Sequence, residues 1–525
     1  MTARVGKGET AVSIGPARRR FFILPAVLLI LLSLAACAPF YLQALRAPSG
    51  TVKLASPGEL SGKELWYGIV FNGEKVGFSR LWVTPLPDGR RFLLRSELQM
   101  VIRFLGLQRR VHLRSEETVD RDLNLLSFRY VQTLDDKTLT LEGERSGGNL
   151  LVRVQGPGGI QENTLAVAGE VLPASAVNLY PPLRGLAVGA RYRYRVFEPQ
   201  TVQVYDVEQE IVRFERAPAL GLRESFRVET RMGGYEATTW IAPEGVTEME
   251  FGLGGVLITH REDEEEAKRY LVASSLAKKD VILDFSLIRT ERGVPCPRGA
   301  EEMRVILSGL PGDLRPPEGA HQEVAEERQN GERVFSVHTR RRPFPGGGPP
   351  TEETLRSCLA PHVQIESRHP EIRRLGAQIT SGVTGPREKI ERLCAWVARE
   401  IKDEAVDAFS ALEVLTTRKG ECQAHTLLYT ALARSVGIPT RLVGGVVYLE
   451  GHGFLYHSWA ESHAGGWVAV DPTFGQVPAD ATHIKLVEGP DWSSFLPLGR
   501  VVGRLGIRIL AVTCAPGHPG SGLEN

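Results

Sequence analysis

The run RPFPGGGPP, from Arg342 to Pro350, divides this chain in two. So dense a mixture of proline and glycine supports neither a helix nor an inner strand, and it reads as a linker. The periodicity differs on its two sides, with short alternating segments before it and helical spacing after it. At 525 residues the chain also exceeds what one core accommodates, so about three domains are expected.

Upstream, Trp66 to Phe71 and Val76 to Val83 flank Asn72-Gly73, a strong hairpin signal. Pro87-Asp88-Gly89, Gly147-Gly148, Gly156-Pro157-Gly158-Gly159 and Gly233-Gly234 mark further turns. Alternating segments such as Arg191 to Val196 and Val202 to Val207 run between them. Strands at roughly ten-residue spacing predict a large antiparallel sheet, either a sandwich or an open curved barrel. The charge run REDEEEAKR, Arg261 to Arg269, predicts an exposed helix start or a linker. A shorter β-like region follows from Val281 to Val337, with Met303 to Leu307 and Arg333 to Val337 as its clearest strands.

Downstream, Ile390, Leu393, Cys394, Val397 and Ile401 form one face of a helix, and Ser410 to Glu413 has the spacing of a capping box. The chain then reaches Gly420-Glu421-Cys422. Cys422 opens an apolar run of helical spacing through Leu432, which stops at Gly437-Ile438-Pro439. A thiol at a helix N-terminus meets unpaired N–H groups and the positive end of the helix dipole, both of which favour thiolate. Two strand-like runs, Phe454 to Ser462 and Gly466 to Val470, flank His463-Ala464-Gly465 as a hairpin. With the turn centred on Ala464, His457 faces Asp471, Trp459 faces Ala469 and Glu461 faces Trp467. A nucleophile, a base and a carboxylate to orient the base then occur in that order.

G-E-C at 420–422, GIPTR at 437–441, HSWAE at 457–461 and WVAVDPT at 467–473 resemble the transglutaminase-like superfamily of papain-fold thiol enzymes. The resemblance implies Cys422 as nucleophile, His457 as general base and acid, and Asp471 as the orienter. It implies a multi-domain chain, with N-terminal antiparallel all-β regions followed by an α+β papain-like transglutaminase core. The expected division is 1–47 as a signal peptide or membrane anchor and 48–275 as an antiparallel β-rich domain. A small β domain at 276–341, the linker at 342–350, the catalytic domain at 351–512 and a disordered tail at 513–525 complete it. Val501 to Val512 is expected as a closing strand of the catalytic part. Acyl transfer through a Cys422 thioester needs no organic cofactor, and a protein or peptide is the expected substrate.

The N-terminus carries a different message. Arg18-Arg19-Arg20 precede an apolar run from Phe21 to Ala36 that ends Leu34-Ala35-Ala36-Cys37, the pattern of an export signal. L-A-A-C resembles a bacterial lipobox, which implies cleavage before Cys37 and lipid on its thiol. Continued to Leu45, the same stretch is long enough for an uncleaved membrane anchor. Both readings place the rest of the chain outside the cytoplasm, tethered to the bacterial envelope. Cys296, Cys358 and Cys514 remain open to pairing with one another or with Cys394, whose place on an apolar helix face marks it as core.

A formal net charge of +1, with short basic clusters such as Arg109-Arg110 and Arg340-Arg341-Arg342, gives no footprint for nucleic acid. His425, His452, His457, His463 and His483 crowd the downstream part, but their spacings match no common metal-ligand pattern. Two non-catalytic alternatives stand beside the enzyme: a peptide-binding scaffold, or an envelope lipoprotein whose N-terminal sheet binds lipid or peptide. Nothing in the sequence specifies an oligomer.

Overall fold

The structure, a computed structural model, describes residues 43–48, 51–104, 107–135, 137–273, 286–344, 349–404 and 408–516. Cys37 and the apolar run before it lie outside the described residues. Among the described residues no helix is long and apolar enough to cross a membrane.

Residues 64–262 form one large sheet in which two meanders meet. One runs from Glu64–Phe71 through successive hairpins to an edge at Gly159–Ala166, and the other from Arg191–Glu198 to Leu257–Glu262. The two join where Leu257–Glu262 pairs antiparallel with Glu64–Phe71. Alternation explains the strands: in Asn149–Gly156, Leu150, Val152 and Val154 are buried while their neighbours are exposed. The first hairpin turns on Asn72 (φ 48°) and Gly73 (φ 79°), the two positive values that a tight primed turn requires. The charge run is a helix start, Glu264–Ala273. Gln43–Ala44, placed with the anchor by the sequence reading, instead pairs with the Gln203–Ala217 strand of this sheet.

The second half combines helices with two four-stranded sheets. Helices Pro370–Ile379, Pro386–Glu400 and Cys422–Ser435 pack with buried Ile390, Leu393, Cys394, Val397, Leu428 and Leu432 at their centre. The sheet beside them has the order Trp467–Val470, Gly453–His463, Thr440–Leu449, Ile484–Gly489. Gly437, at φ 81°, ends the Cys422–Ser435 helix, where a left-handed residue closes the last turn.

Three expectations change here. The strand expected to close the catalytic part at Val501–Val512 runs instead from Gly506 to Cys514 and pairs with Ala300–Ser308 of the small sheet. The described part of the expected small β domain, 286–341, is not a separate core: Val305, Phe335 and Val337 pack with Val446, Phe454 and Ile484 of the catalytic sheet. A sheet burying one apolar face needs a partner layer, and here that layer is the catalytic sheet itself. Finally, Thr513 and Cys514, assigned to the tail, end a strand, and Cys514 is joined to Cys296 by a disulfide across 218 residues. Cys358 and Cys394 are buried and unpaired.

The large sheet abuts the catalytic half close to the nucleophile helix. The hairpin tip at Gly158 approaches so closely that an added Cβ would lie 2.8 Å from the Glu413 backbone nitrogen. Val363 packs with Leu141, Val152 and Phe197, and Arg500 reaches Glu236 at 3.3 Å.

The disulfide closes a long loop of the unfolded chain and is expected to contribute about 2–5 kcal/mol to stability. Urea unfolding of Cys296→Ser without reductant should show that loss, and wild type treated with reductant should match the variant. An unchanged midpoint in both would mean the bond contributes nothing.

Candidate active site

Each member of the expected triad is placed by a different local device. Ser410 caps the Ala411–Thr417 helix, its hydroxyl accepting from Glu413 N–H at 3.3 Å, and that helix delivers the chain to Gly420. Cys422 is then the first residue of its helix, with Glu421 in extended conformation as N-cap. It is half-buried and lies beside His457. His457 lies within the Gly453–His463 strand, paired with Gly445 on the neighbouring strand. Its Nε2–H donates to Asp471 Oδ2 at 2.9 Å, leaving Nδ1 for the thiol.

The hairpin register differs from the expected one. The pairs are His463 with Trp467, Ser462 with Val468, Glu461 with Ala469 and Ala460 with Val470. The turn is centred on Gly465, so the strands are displaced by two residues from the Ala464-centred pairing. Displacement by two preserves the side-chain face, whereas displacement by one would reverse it. Asp471 therefore still lies on the His457 side, but diagonally and one residue beyond the paired strand. A separate backbone pair fixes it there: Asp471 N–H donates to Gln476 O at 3.0 Å, and Gln476 N–H returns to Asp471 O at 2.9 Å.

Asp471 is fully buried and saturated. Oδ1 accepts from the backbone N–H groups of Thr473 (2.8 Å) and Phe474 (3.1 Å). Oδ2 accepts from His457 and, at 2.8 Å, from His483 Nε2–H. Burial alone would raise this carboxyl, but the charge of His457 and the hydrogen bonds from both imidazoles hold it well below the usual carboxylate range. Burial likewise works against a charged His457. The charges of Asp471 and Cys422, with hydrogen bonds to both, overcome it and push the imidazole up to about 10. The Cys422 thiol is also penalised by burial, yet the charge of the neighbouring His457 imidazole brings it below its ordinary value. Both shifts favour the thiolate–imidazolium form of the pair.

Phe474 stacks on His457 with centroids 5.3 Å apart, and Trp459 stacks at 6.1 Å on an interplanar angle of 21°. Glu461, the acidic residue of the Gly453–His463 strand, does not orient His457. It binds Arg441 Nε at 2.8 Å and Lys485 Nζ at 3.0 Å in a buried ion cluster. Among the crowded histidines, His425 is bound to the backbone oxygens of Glu421 and Ile401, and His452 to that of Glu450. His483 is the addition that sequence reading did not assign, and its Asp480-Ala481-Thr482-His483 context carries no ligand or triad spacing. One donor atom from each of His457, Asp471 and His483 lies within 4.8 Å of the others, a span a metal ion could use. Hydrogen bonds already occupy all three atoms in this arrangement.

A cavity of about 390 Å³ lies between the large sheet and the helical part, with Gln423, the residue after Cys422, in its wall. Gln364, Phe409 and Gln423 line it from the catalytic side, and Gln132, Lys137 and Gln200 from the large sheet.

A family model described as the transglutaminase-like superfamily matches residues 373–472, which include all three triad positions. An uncharacterized protein of Mycobacterium leprae (strain TN) is 31% identical over 99 residues, covering 17% of this chain and 34% of its own length. The chain thus spans about a third of the curated relative it matches. Among solved structures, a "putative cysteine protease" of Cytophaga hutchinsonii aligns at 16% identity and a TM-score of 0.28, over 41% of this chain and 90% of its own. A β-barrel-like protein of unknown function from Brucella abortus aligns at 10% identity and a TM-score of 0.29, over 38% of this chain and 94% of its own. Residues 373–472 are a transglutaminase-like domain, carried behind a large antiparallel sheet in a multi-domain chain.

Proposed function

We propose that this chain is a cysteine-dependent acyl-transfer enzyme acting on carboxamide or peptide bonds of a protein or peptide. The observation that carries the reading is the continuous line from Cys422 through His457 to Asp471, with the thiol at a helix N-terminus.

The Cys422 thiolate attacks the carbonyl carbon, and the electron pair of the C=O bond moves to oxygen. The N–H groups of the helix N-terminus, including that of Cys422, have no intrahelical partner and are the donors available to the oxyanion. Collapse re-forms the carbonyl and expels ammonia or an amine, which takes its proton from His457 Nδ1. A thioester on Cys422 remains. Water or an amine, deprotonated by neutral His457, then attacks the thioester and releases the thiolate. The same triad serves hydrolysis and transfer, so the acceptor decides between them. The cavity that Gln423 lines supports a peptide as the substrate, because its four glutamine side chains can both donate to and accept from a peptide backbone.

Export with a lipid anchor at Cys37 belongs to the same proposal, motivated by Leu34-Ala35-Ala36-Cys37. The Cys296–Cys514 bond supports it, since disulfides persist in oxidising compartments. Expressed in a bacterium, the mature chain should begin at Cys37 and carry acyl groups, and Cys37→Ala should block processing. Mass spectrometry finding an intact N-terminus on membrane-bound wild type would instead support an uncleaved anchor.

Thiol reactivity tests the nucleophile. Cys422 is lowered, whereas burial pushes Cys358 and Cys394 up. Near neutral pH iodoacetamide should therefore label Cys422 first, with roughly a tenfold difference in thiolate fraction for each unit of pKa separation. Finding Cys422 the slowest of the three would remove it as nucleophile.

The triad's roles are separated with glutamine-containing peptides, with and without a primary amine, read by mass spectrometry of the acyl-enzyme. Cys422→Ala should abolish the adduct, and His457→Ala should be about as severe because the residues act as one unit. Asp471→Asn should lose turnover in the direction seen for a serine triad, where the change costs about 10⁴-fold. It should also lose stability, since either orientation of the new amide turns its NH₂ toward two N–H donors. Full activity in Asp471→Asn would disprove the assigned orienter.

A further inference from the structure

His483 approaches the triad from behind. The chain returns to the site after the Asp471–Gln476 turn, and His483 immediately precedes the Ile484–Gly489 strand. It is 7% exposed, and its two ring nitrogens meet acceptors only. Nε2 lies 2.8 Å from Asp471 Oδ2. Nδ1 lies 3.0 Å from the Asp480 carbonyl oxygen and 3.4 Å from Asp480 Oδ1. A neutral imidazole would turn a lone pair toward one of these oxygens at hydrogen-bond distance. Two donors are required, so the ring carries both protons.

Its partners are fixed in turn. Asp480 accepts from Thr482 N–H at 2.9 Å and forms an ion pair with Arg298 Nη1 at 3.0 Å. Arg298 also lies over the Phe474 ring, its guanidinium carbon 4.2 Å from the centroid, and donates to the Tyr448 carbonyl. Phe474 is the ring stacked on His457. The line of alternating charge therefore runs from Cys422 through His457, Asp471, His483 and Asp480 to Arg298.

We propose that His483, held as an imidazolium between Asp471 and Asp480, is a positioning residue that fixes the Asp471 carboxylate and offsets part of its charge, setting the pH range over which Cys422 and His457 exist as an ion pair. The inference rests on the Cys422–His457–Asp471 assignment. With a cation behind it, Asp471 stabilises the charged His457 ring less than a lone carboxylate would, so His457 gives up its proton to a leaving group more readily. The same cation favours the Cys422 thiolate. The upward shift of His483, in which the charge of Asp480 and hydrogen bonds to Asp471 and Asp480 outweigh burial, agrees with the doubly protonated ring. The charged and titratable groups facing it are Asp471, Asp480 and His457, with Arg298 behind Asp480. Across a cavity of about 20 Å³ lie His321, Arg340, Glu461 and Lys485.

The test is the pH profile of Cys422 alkylation by iodoacetamide in the whole chain, located by peptide mass spectrometry. His483→Gln keeps an N–H for Asp471 and removes the charge. Both inflections, thiolate formation and His457 deprotonation, should then move up by roughly one pH unit, as loss of a nearby cation requires. Inflections at wild-type positions would overturn the proposal, leaving His483 a structural residue. If Cys422 shows no ion-pair plateau even in wild type, the triad assignment itself fails, which is a different outcome. Should His483→Gln not fold, ¹⁵N-histidine NMR of wild type decides, with the His483 ring assigned through its contact with Trp459. Two protonated ring nitrogens at neutral pH support the proposal, and one bare nitrogen overturns it.

Discussion

A carboxylate in the protein interior is tolerable only when its oxygens are fully engaged, and Asp471 meets that condition with donors from three segments. Two come from the turn it begins, one from the strand carrying His457, and one from the approach to the Ile484–Gly489 strand. Those segments cannot move independently without leaving the charge unsatisfied. The position of the base, the hairpin register and the return of the chain toward the small sheet are therefore one linked arrangement. The nucleophile helix is set against it by a different force, apolar packing of Leu427, Leu428 and Leu432 beneath the same sheet.

The parts outside the matched domain are bound into this arrangement. Arg298, which precedes the small sheet, reaches across to Asp480 and to the ring stacked on His457. It lies two residues beyond the cysteine that anchors the 300–308 strand to the 506–514 strand. The large N-terminal sheet supplies the opposite wall of the cavity beside Gln423. Pocket walls from two structural units are a common way to build a substrate site, because each unit can then set a different part of the specificity.

The site was largely legible in the sequence, because its three members depend on local signals. Cys422 follows a cap and opens an apolar helix that ends at a glycine. His457 and Asp471 flank a short turn at a parity that survives a two-residue change of register. The register itself was not legible: His463-Ala464-Gly465-Gly466 offers two placements of the turn, and only the pairing of His463 with Trp467 selects one. His483 was hidden for a different reason. Its place depends on a strand that returns antiparallel to Thr440–Leu449, so its neighbours are close in space and distant in spacing. The division at the linker located the helical part, but the 506–514 strand crosses back over it. Alternation marks a residue as belonging to a strand and says nothing about which sheet the strand joins.

That crossing orders events during synthesis. The Ala300–Ser308 strand emerges from the ribosome some two hundred residues before its partner at Gly506–Cys514. Until then Met303, Val305 and Leu307 lack one neighbour of the layer that buries them, and Cys296 lacks its thiol partner. A chain stopped just after Asp471 would hold every triad residue yet neither His483 nor the closing strand. The candidate site is therefore complete only once the last strand of the small sheet has been made.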